Sequence, residues 1–285
     1  MVSGLVVGDK PAGITSHDVV ARCRKIFGQR RVGHGGTLDP DATGVLLVGL
    51  GPATRLLRFL TALKKSYEGE VVLGVETTTL DSSGEVVATH DMAGVGVGEA
   101  RAAAALLVGD IEQVPPMVSA VRVGGRRLHE MARAGLEVER AARPVTVHRF
   151  DVEPGPEVGI LSISVDCSSG TYVRSLAADL GTALGGGAHL RRLRRTAVGS
   201  FTTALACPLD DVGPEVVLSP AEAMRDYPKV TVDPETATSV AHGSVLPAGW
   251  GGPGPWAVLD EAGGLLAMYE DRPAGGVKPA VVLSF

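Results

Sequence analysis

The sequence lacks three features that would place it in other protein classes. None of its apolar runs reaches the roughly eighteen residues that a membrane-spanning helix requires, and Met1–Lys10 lacks the basic start and long apolar centre of a signal peptide. Its three cysteines, Cys23, Cys167 and Cys207, stand far apart and include no CxxC pair. This spacing disfavours a disulfide framework or a zinc site and is typical of a reducing compartment. We therefore expect a cytoplasmic protein without a metal centre.

An overall positive charge is also absent, since the 285 residues carry a formal net charge of −5 at pH 7. From Leu209 onward there are eleven acidic and four basic residues, whereas residues 1–208 hold 21 acidic and 23 basic ones. Arginine and lysine concentrate in residues 22–31, 122–149 and 189–195. Each segment is a candidate phosphate-contacting surface, with a solvated helix face as the alternative. Three such segments in one chain favour an RNA partner.

The length and a late shift in composition predict two domains. A chain of this size can bury one large core and one small one. After about residue 226 the sequence is rich in glycine and proline, and its pattern predicts short strands at Lys229–Val232, Trp256–Leu259, Leu265–Tyr269 and Ala280–Leu283. We predict a large domain over residues 1–226 and a small β-rich domain over residues 227–285.

The most distinctive stretch is Arg31–Leu50, RVGHGGTLDPDATGVLLVGL. Its apolar end, Val45–Leu50, predicts a buried strand, and the glycines before it predict a loop that carries Asp39. Loops on a rigid scaffold often hold catalytic groups, so Asp39 is a candidate catalytic carboxylate. The alternative is an aspartate that only hydrogen-bonds its own turn. An EF-hand calcium loop is excluded because its twelfth position requires a glutamate, and Leu50 stands there.

Two further residues are candidates because of their place in predicted elements. Tyr67 stands at the start of an alternating strand, where packing within the sheet is the alternative to a catalytic role. Arg174 falls in the first turn of a helix predicted to begin at Gly170 or Thr171, where a cation opposes the helix dipole. Such a mismatch suggests a negatively charged partner, and Asp39 is the natural one. A surface arginine is the alternative.

Five motifs, in the right order and spacing, resemble those of the bacterial TruB-type tRNA pseudouridine synthases. The longest, GHxGxLDPxATGxLxxxxGxATR, runs from Gly33 through Arg55 with almost no departure. The others are KPAGITS near the N-terminus, KSY ending at Tyr67, CSSGTYVRSLAADLG from Cys167 and GAHLRRLRRTAVGSF from Gly187. The resemblance covers about residues 5–205.

The resemblance implies an α/β (α+β) fold, with a large mixed, mainly antiparallel sheet flanked by helices and a small C-terminal β-rich PUA-like domain. Residues from about 115 to 144 resemble the family's thumb-like insertion, which closes on RNA. There we predict a hairpin turn at Gly124-Gly125 and a helix from about Arg126 to Gly135. One motif departs from the family's TDTxDxxG pattern, because Thr78 replaces its first acid while Asp81 keeps the second.

The resemblance also implies the reaction, which is the isomerisation of uridine 55 in the tRNA T-loop to pseudouridine. The N-glycosidic bond breaks, the uracil turns, and it is rejoined to the sugar through C5. By motif position Asp39 is the catalytic carboxylate, Arg174 is its ion-pair partner, and Tyr67 stacks on the base and handles protons. An arginine beside the aspartate would keep it charged at neutral pH. Whether the carboxylate attacks the sugar or the ring stays open.

Further residues are implied to bind the RNA. His34 resembles the family residue that slides into the base stack as the target base leaves, and Leu193 sits where an apolar residue lines the uracil pocket. For Lys10 a phosphate contact and a turn pinned against the core are both open. The implied substrate-binding residues are His34, Tyr172, Leu193 and Lys10, and the implied RNA-backbone contacts are Arg126, Arg127, Arg191 and Arg192.

The implied reaction moves neither electrons nor phosphate, so we expect no cofactor and no metal. We expect the T-arm of tRNA as the partner of a monomer, with no membrane and no protein partner. Two rival functions remain open. A non-catalytic RNA-binding or tRNA-folding protein would keep the arginines without needing Asp39. A glycosidase-like hydrolase would need a second carboxylate about 5–10 Å away, for which Asp41 is the candidate.

Overall fold

The structure, a computed structural model, describes residues 1–119, 122–123, 126–127, 131, 138–247 and 250–283. The helices in these residues are α1 (Ser16–Ile26), α2 (Leu57–Ala62), α3 (Val97–Ala105), α4 (Val173–Ala183), α5 (Pro220–Ala223) and α6 (Pro234–Ala241). Short 3-10 turns lie at Gly51–Leu56, Thr203–Leu205 and Pro214–Val216. The strands are β1 (Gly4–Lys10), β2 (Val32–Gly35), β3 (Thr43–Leu50), β4 (Lys65–Leu73), β5 (Val75–Thr77), β6 (Val86–Thr89), β7 (Gly109–Gln113), β8 (Arg122–Val123), β9 (Arg126–Arg127), β10 (Arg143–Pro154), β11 (Ile160–Cys167), β12 (Ala188–Val198), β13 (Phe201–Thr202), β14 (Cys207–Pro208), β15 (Lys229–Thr231), β16 (Trp256–Leu259), β17 (Leu265–Asp271) and β18 (Val277–Val282).

The chain divides into two compact units. The first unit comprises Met1–Ala62 and Ala197–Phe285, and the second comprises Leu63–Thr196. Of the predicted site residues, Asp39 lies in the first unit, whereas Tyr67 and Arg174 lie in the second.

In the first unit the central strand is β3, which pairs antiparallel with both β1 and β2. Val45–Val48 are completely buried, as the unbroken apolar run predicted. β14 adds to β1 in the parallel direction, so the pairing is mixed. The capping box predicted at Thr15 and Asp18 is present and starts α1.

The C-terminal part of the first unit forms a separate four-stranded sheet in the order β15-β16-β17-β18. Its strands agree with the four predicted ones to within a few residues. The core of this sheet centres on Trp256 and Tyr269, and Val240 of α6 packs against them. The sequence prediction missed α6, which begins with Asp233 as N-cap and Pro234 as first residue.

In the second unit the strands follow the order β12-β4-β11-β10-β7. β4, β11, β10 and β7 pair antiparallel in turn. Helices α3 and α4 bury their apolar faces on this sheet, with Ala104 and Leu176 fully enclosed in the core. The predicted fold class, α/β with a large mixed and mainly antiparallel sheet, is confirmed.

The predicted insertion is described only in part. Arg126 and Arg127 form the two-residue strand β9, which pairs with β8. The prediction of a helix beginning at about Arg126 is therefore wrong for these two residues, because they extend to pair with the preceding strand. The predicted turn at Gly124-Gly125 lies outside the described residues, as do the side chains of Arg126 and Arg127.

Candidate active site

Asp39 lies in the loop that joins β2 to β3, and it is half-buried. The two strands are antiparallel neighbours, so the loop is the turn of a hairpin. Within the loop the Ala42 amide donates to the Asp39 carbonyl at 3.1 Å. Gly36 and Gly44 have φ angles of 82° and 101°, left-handed values that favour glycine. The predicted glycine-rich loop in front of a buried strand is confirmed.

The residue after the aspartate is anchored by a buried lysine. Lys10 is completely buried, and its Nζ donates to the Pro40 carbonyl at 2.7 Å, the Pro11 carbonyl at 2.9 Å and the Ile14 carbonyl at 2.6 Å. The Gly13 amide also donates to the Pro40 carbonyl, at 3.0 Å. An enclosed ammonium offers a phosphate no direct access. The geometry therefore supports the turn-pinning role of Lys10 and not the phosphate contact.

His34 lies on β2 opposite Val48 of β3 and is half-buried. Its ring meets the ring of His17 edge to face, with the ring centroids 5.2 Å apart and the planes at 81°. His17 is an exposed residue in the first turn of α1. Edge-to-face contacts are a preferred geometry of aromatic rings, so α1 supports the orientation of the His34 ring.

Tyr67 lies near the start of β4, where it pairs with Val165 of β11. The residue is half-buried and packs against the core of the second unit. One portion of Tyr67 therefore packs in the sheet and another portion is accessible, and its catalytic role stays a prediction.

Arg174 is almost completely buried, with 4% of its surface exposed. It occupies the first turn of α4, as predicted. Its Nη1 lies 3.2 Å from Oδ2 of Asp81 and donates to the Thr79 carbonyl at 2.9 Å, while Nη2 donates to the Val118 carbonyl at 2.8 Å. A surface role for this arginine is therefore excluded. One carboxylate and two carbonyls hold its plane in a fixed orientation.

Asp81 is itself held in place by the turn that contains it. Its carboxylate accepts from the Thr79 hydroxyl at 2.6 Å and from the Ser83 amide at 3.0 Å. This is the acid that the sequence retains from the family's TDTxDxxG pattern. The pattern alone did not reveal that Asp81 pairs with Arg174, because the two residues are far apart in the sequence.

Tyr172, the residue before α4, is held by two hydrogen bonds to Gln113. Gln113 lies at the end of β7 and is 2% exposed. Its Oε1 accepts from the Tyr172 amide at 2.7 Å, and its Nε2 donates to the Tyr172 carbonyl at 3.1 Å. The Ser175 hydroxyl also donates to the Val114 carbonyl at 3.2 Å. The start of α4 is therefore tied to the segment that leads into the predicted insertion. Gln113 was not among the predicted site residues, because nothing in its local sequence pattern marked it.

Comparison with known families places this geometry in context. The model described as "TruB family pseudouridylate synthase (N terminal domain)" matches residues 24–173. Two C-terminal models, "tRNA pseudouridylate synthase B C-terminal domain" and "tRNA Pseudouridine synthase II, C terminal", match residues 174–234 and 227–284. The chain belongs to the TruB family. The predicted resemblance and the enzyme class, an isomerase that forms pseudouridine, are confirmed with it.

Curated relatives in the TruB family match nearly the whole chain. A "tRNA pseudouridine synthase B" of Mycobacterium sp. (strain KMS) is 49% identical, covering 98% of this chain and 96% of the relative. One of Arthrobacter sp. (strain FB24) is 46% identical, covering 100% and 97%. Among solved structures, the "Crystal Structure of a Cbf5-Nop10-Gar1 Complex" is similar at 27% identity and a TM-score of 0.78, covering 99% of this chain and 85% of that one.

The remaining predicted residues of this TruB family member lie on β12. Leu193 is half-buried and packs against the core of the second unit. Arg191 is paired with two carboxylates, with its Nε 2.9 Å from Glu70 and its Nη1 3.0 Å from Glu157. The side chain of Arg192 is 71% exposed and lies 3.5 Å from Glu70. Of these two arginines, Arg192 is the more accessible to a phosphate.

Lys65 is a buried cation that the sequence analysis did not assign. It lies two residues before Tyr67 on β4, is 5% exposed, and its Nζ donates to the Leu63 carbonyl at 2.6 Å. Burial, with a smaller contribution from the nearby charge of Arg195, lowers the pKa of Lys65 from 10.5 to about 8. The start of the strand that carries Tyr67 thus holds a titratable group near neutral pH.

We expect the free energy of unfolding to increase as the pH rises and the buried Lys65 ammonium loses its proton. Its folded-state pKa of about 8 lies below the ordinary 10.5, so the native state releases this proton first and stability increases with pH across that window. Relative to Lys65→Met, the wild type should gain about 1 kcal/mol in free energy of unfolding between pH 7 and 9. Urea titrations followed by circular dichroism measure this difference. Lys64→Met removes an exposed neighbour and keeps Lys65, so its pH curve should run parallel to that of the wild type. Parallel pH curves for wild type and Lys65→Met would contradict the assignment.

No group of three or more histidine, cysteine, aspartate or glutamate side chains is placed to hold a metal ion in the part of the chain that the structure describes. Among the same residues, no helix is long and apolar enough to cross a membrane.

Proposed function

We propose that the protein is a tRNA pseudouridine synthase that converts uridine 55 of the T-loop to pseudouridine. The observation that carries this proposal is the complete Gly33–Arg55 motif, folded as a braced loop that presents Asp39 in front of a buried strand. The curated relatives at 46% and 49% identity bear the name of that activity, which supports tRNA as the substrate.

In the proposed mechanism Asp39 acts on a uridine that has been flipped out of the T-loop. The carboxylate drives cleavage of the N-glycosidic bond, as a nucleophile or as a base, and the uracil is rejoined through C5. The C5 proton is lost to solvent, and N1, released from the sugar, takes up a proton, so the product is an isomer of the substrate. Arg174, assigned by its motif position, stabilises the negative charge of this carboxylate. The buried setting of Arg174 supports this role, because a guanidinium fixed by three acceptors loses little freedom when it meets another anion.

The detached uracil is retained between an aromatic face and an apolar wall. Tyr67 and Leu193, both half-buried on neighbouring strands of the second unit, supply these two surfaces, and Tyr172 lines the same pocket. Stacking on an aromatic ring contributes about 1–3 kcal/mol per base, and flipping a base costs a few kcal/mol. The free energy gained by stacking therefore roughly offsets the cost of flipping, and His34 fills the gap that the base leaves in the T-loop. No external energy source is required.

The T-arm backbone is bound by basic side chains. Arg192 on β12 and the pair Arg126 and Arg127 in the insertion are the proposed phosphate contacts, and Arg191 joins them by exchanging a glutamate partner for a phosphate. In the first unit, four exposed cations in and after α1 are further proposed phosphate contacts: Arg24, Lys25, Arg30 and Arg31.

The proposed organisation is a catalytic domain over residues 1–226, with an RNA-clamping insertion at about 115–144, and a PUA-like RNA-binding domain over residues 227–285. The family model that matches residues 227–284 supports the second boundary. We propose that the protein acts as a cytoplasmic monomer, with tRNA as its partner and without a cofactor.

Tritium release tests the proposed function. The purified protein is incubated with T-arm RNA tritiated at C5 of its uridines, and solvent tritium is counted. The proposal predicts one tritium per RNA and none when position 55 is a cytidine. RNA retention without release would indicate a non-catalytic binding protein, and free uracil on thin-layer chromatography would indicate a glycosidase. Either of these results would overturn the proposal.

A further inference from the structure

We propose that Ser16 is a positioning residue for Asp39, an inference that rests on the proposed function. The Ser16 hydroxyl donates to the Leu38 carbonyl at 3.1 Å and accepts from the Leu38 amide at 2.9 Å. Ser16 is 1% exposed and Leu38 is 4% exposed, so both partners are removed from water. A single side-chain oxygen therefore satisfies both main-chain groups of the residue that precedes the catalytic carboxylate.

The main chain is held on the other side of the aspartate as well. The Pro40 carbonyl accepts from Nζ of Lys10 at 2.7 Å and from the Gly13 amide at 3.0 Å. Hydrogen bonds from the segment Lys10–Ser16 thus hold the main chain of the loop both before and after Asp39. With both neighbouring peptides fixed, the direction in which the Asp39 side chain leaves the backbone is fixed too. A misplacement of 1 Å in a reacting group can lower a rate by about 100-fold.

The beginning of α1 explains why the Ser16 hydroxyl is available for this purpose. The preceding residue, Thr15, is the N-cap and forms a capping box with Asp18. The helix start is therefore capped without Ser16, whose hydroxyl is directed to the loop instead. Only a group that donates and accepts at once can serve both Leu38 atoms, and a hydroxyl does so. Alanine removes both interactions, while cysteine retains weak versions of them.

The test compares Ser16→Ala and Ser16→Cys with the wild type in the tritium-release reaction. Single-turnover rates are measured at 25 °C with saturating protein, and RNA affinity is measured separately by filter binding. Ser16→Ala should lower the rate constant about 10- to 100-fold and leave the dissociation constant within about twofold, because the loop is displaced but the RNA surface is not. Ser16→Cys should lie between Ser16→Ala and the wild type.

Tyr227→Phe is the matched control for a loss of stability alone. The Tyr227 hydroxyl donates to the Phe59 carbonyl at 2.8 Å in the same unit, at a distance in sequence from the Asp39 loop. Its removal and that of the Ser16 hydroxyl should each lower the melting temperature by about 2–4 °C. Only the Ser16 variants should lose rate, since a purely structural hydroxyl does not alter turnover well below the melting temperature.

The possible outcomes separate this inference from the proposed function. A wild-type rate constant in Ser16→Ala, or an equal loss in Tyr227→Phe, would overturn the positioning role while leaving the function standing. If circular dichroism shows that Ser16→Ala does not fold, the rate constant of Ser16→Cys is compared with those of the wild type and Tyr227→Phe instead. A wild-type value in Ser16→Cys would then overturn the positioning role. Absence of tritium release by the wild type would overturn both proposals.

Discussion

Replacing Asp39 by asparagine should abolish tritium release from T-arm RNA, with a fall of about 10⁴-fold or more in single-turnover rate. An amide is nearly the same size as a carboxylate but has no negative charge with which to attack carbon or accept a proton. The hydrogen bonds that shape the loop run to the main chain at Leu38, Asp39 and Pro40, so the loop should keep its fold. RNA affinity should therefore stay within about twofold, because charge at the phosphate contacts is unchanged.

Asp41→Asn is the control for the Asp39 substitution. Asp41 lies two residues further along the same loop and is exposed to solvent. Its replacement should leave the single-turnover rate at the wild-type level, since no proposed step uses it. Persistent turnover in Asp39→Asn would contradict the mechanism. Loss of turnover in both variants would contradict the assignment of Asp39 as the only carboxylate that the reaction needs.

Replacing Arg174 is expected to affect both the reaction and the fold. A methionine leaves the Asp81 carboxylate, whose side chain is 21% exposed, and the carbonyls of Thr79 and Val118 without their cation. Because breaking a fully buried pair costs about 3–5 kcal/mol, the free energy of unfolding should fall by up to about 3 kcal/mol here. Arg174→Lys keeps the charge, but one ammonium cannot reproduce the planar contacts to all three acceptors. We expect both variants to lose at least about 100-fold in single-turnover rate, with the smaller loss of stability in Arg174→Lys.

Arg149→Met is the matched control for Arg174, because Arg149 is an ion-paired arginine too. It pairs with Asp151 and Asp166, and its side chain is 47% exposed. Exposed ion pairs contribute about 0–1 kcal/mol, so this variant should unfold almost as the wild type does and keep its rate. Urea titrations and the tritium assay give both quantities. Equal stability losses at Arg149 and Arg174, or a wild-type rate in Arg174→Lys, would contradict the role of the buried guanidinium.

Local sequence patterns predicted the elements of the fold well. The apolar run Val45–Leu50, the capping box at Thr15 and the place of Arg174 in the first turn of a helix were all visible in short windows, because each depends on neighbours within a few residues. The helix α6 was missed although Asp233 followed by Pro234 is a common helix start. The glycine- and proline-rich composition around it favoured strands and obscured that signal.

Contacts between distant parts of the chain could not be predicted in the same way. The pairing of Arg174 with Asp81, and the clamp of Gln113 on Tyr172, each join segments more than fifty residues apart. Sequence spacing carries no information on such distances. Burial was also hard to predict, since the sequence left both a phosphate contact and a turn pinned against the core open for Lys10. Only the structure shows that three carbonyls enclose its ammonium.

The most direct measurement is a crystal structure of the Asp39→Asn variant bound to T-arm RNA. The account predicts that uridine 55 is extruded, with its ring stacked on Tyr67 beside Leu193. Its glycosidic carbon or ring should lie about 3–3.5 Å from the residue-39 side chain, the separation that reacting atoms need. The Arg174 guanidinium should face the same group. A uridine that stays stacked in the T-loop, or a residue 39 directed away from it, would contradict the account.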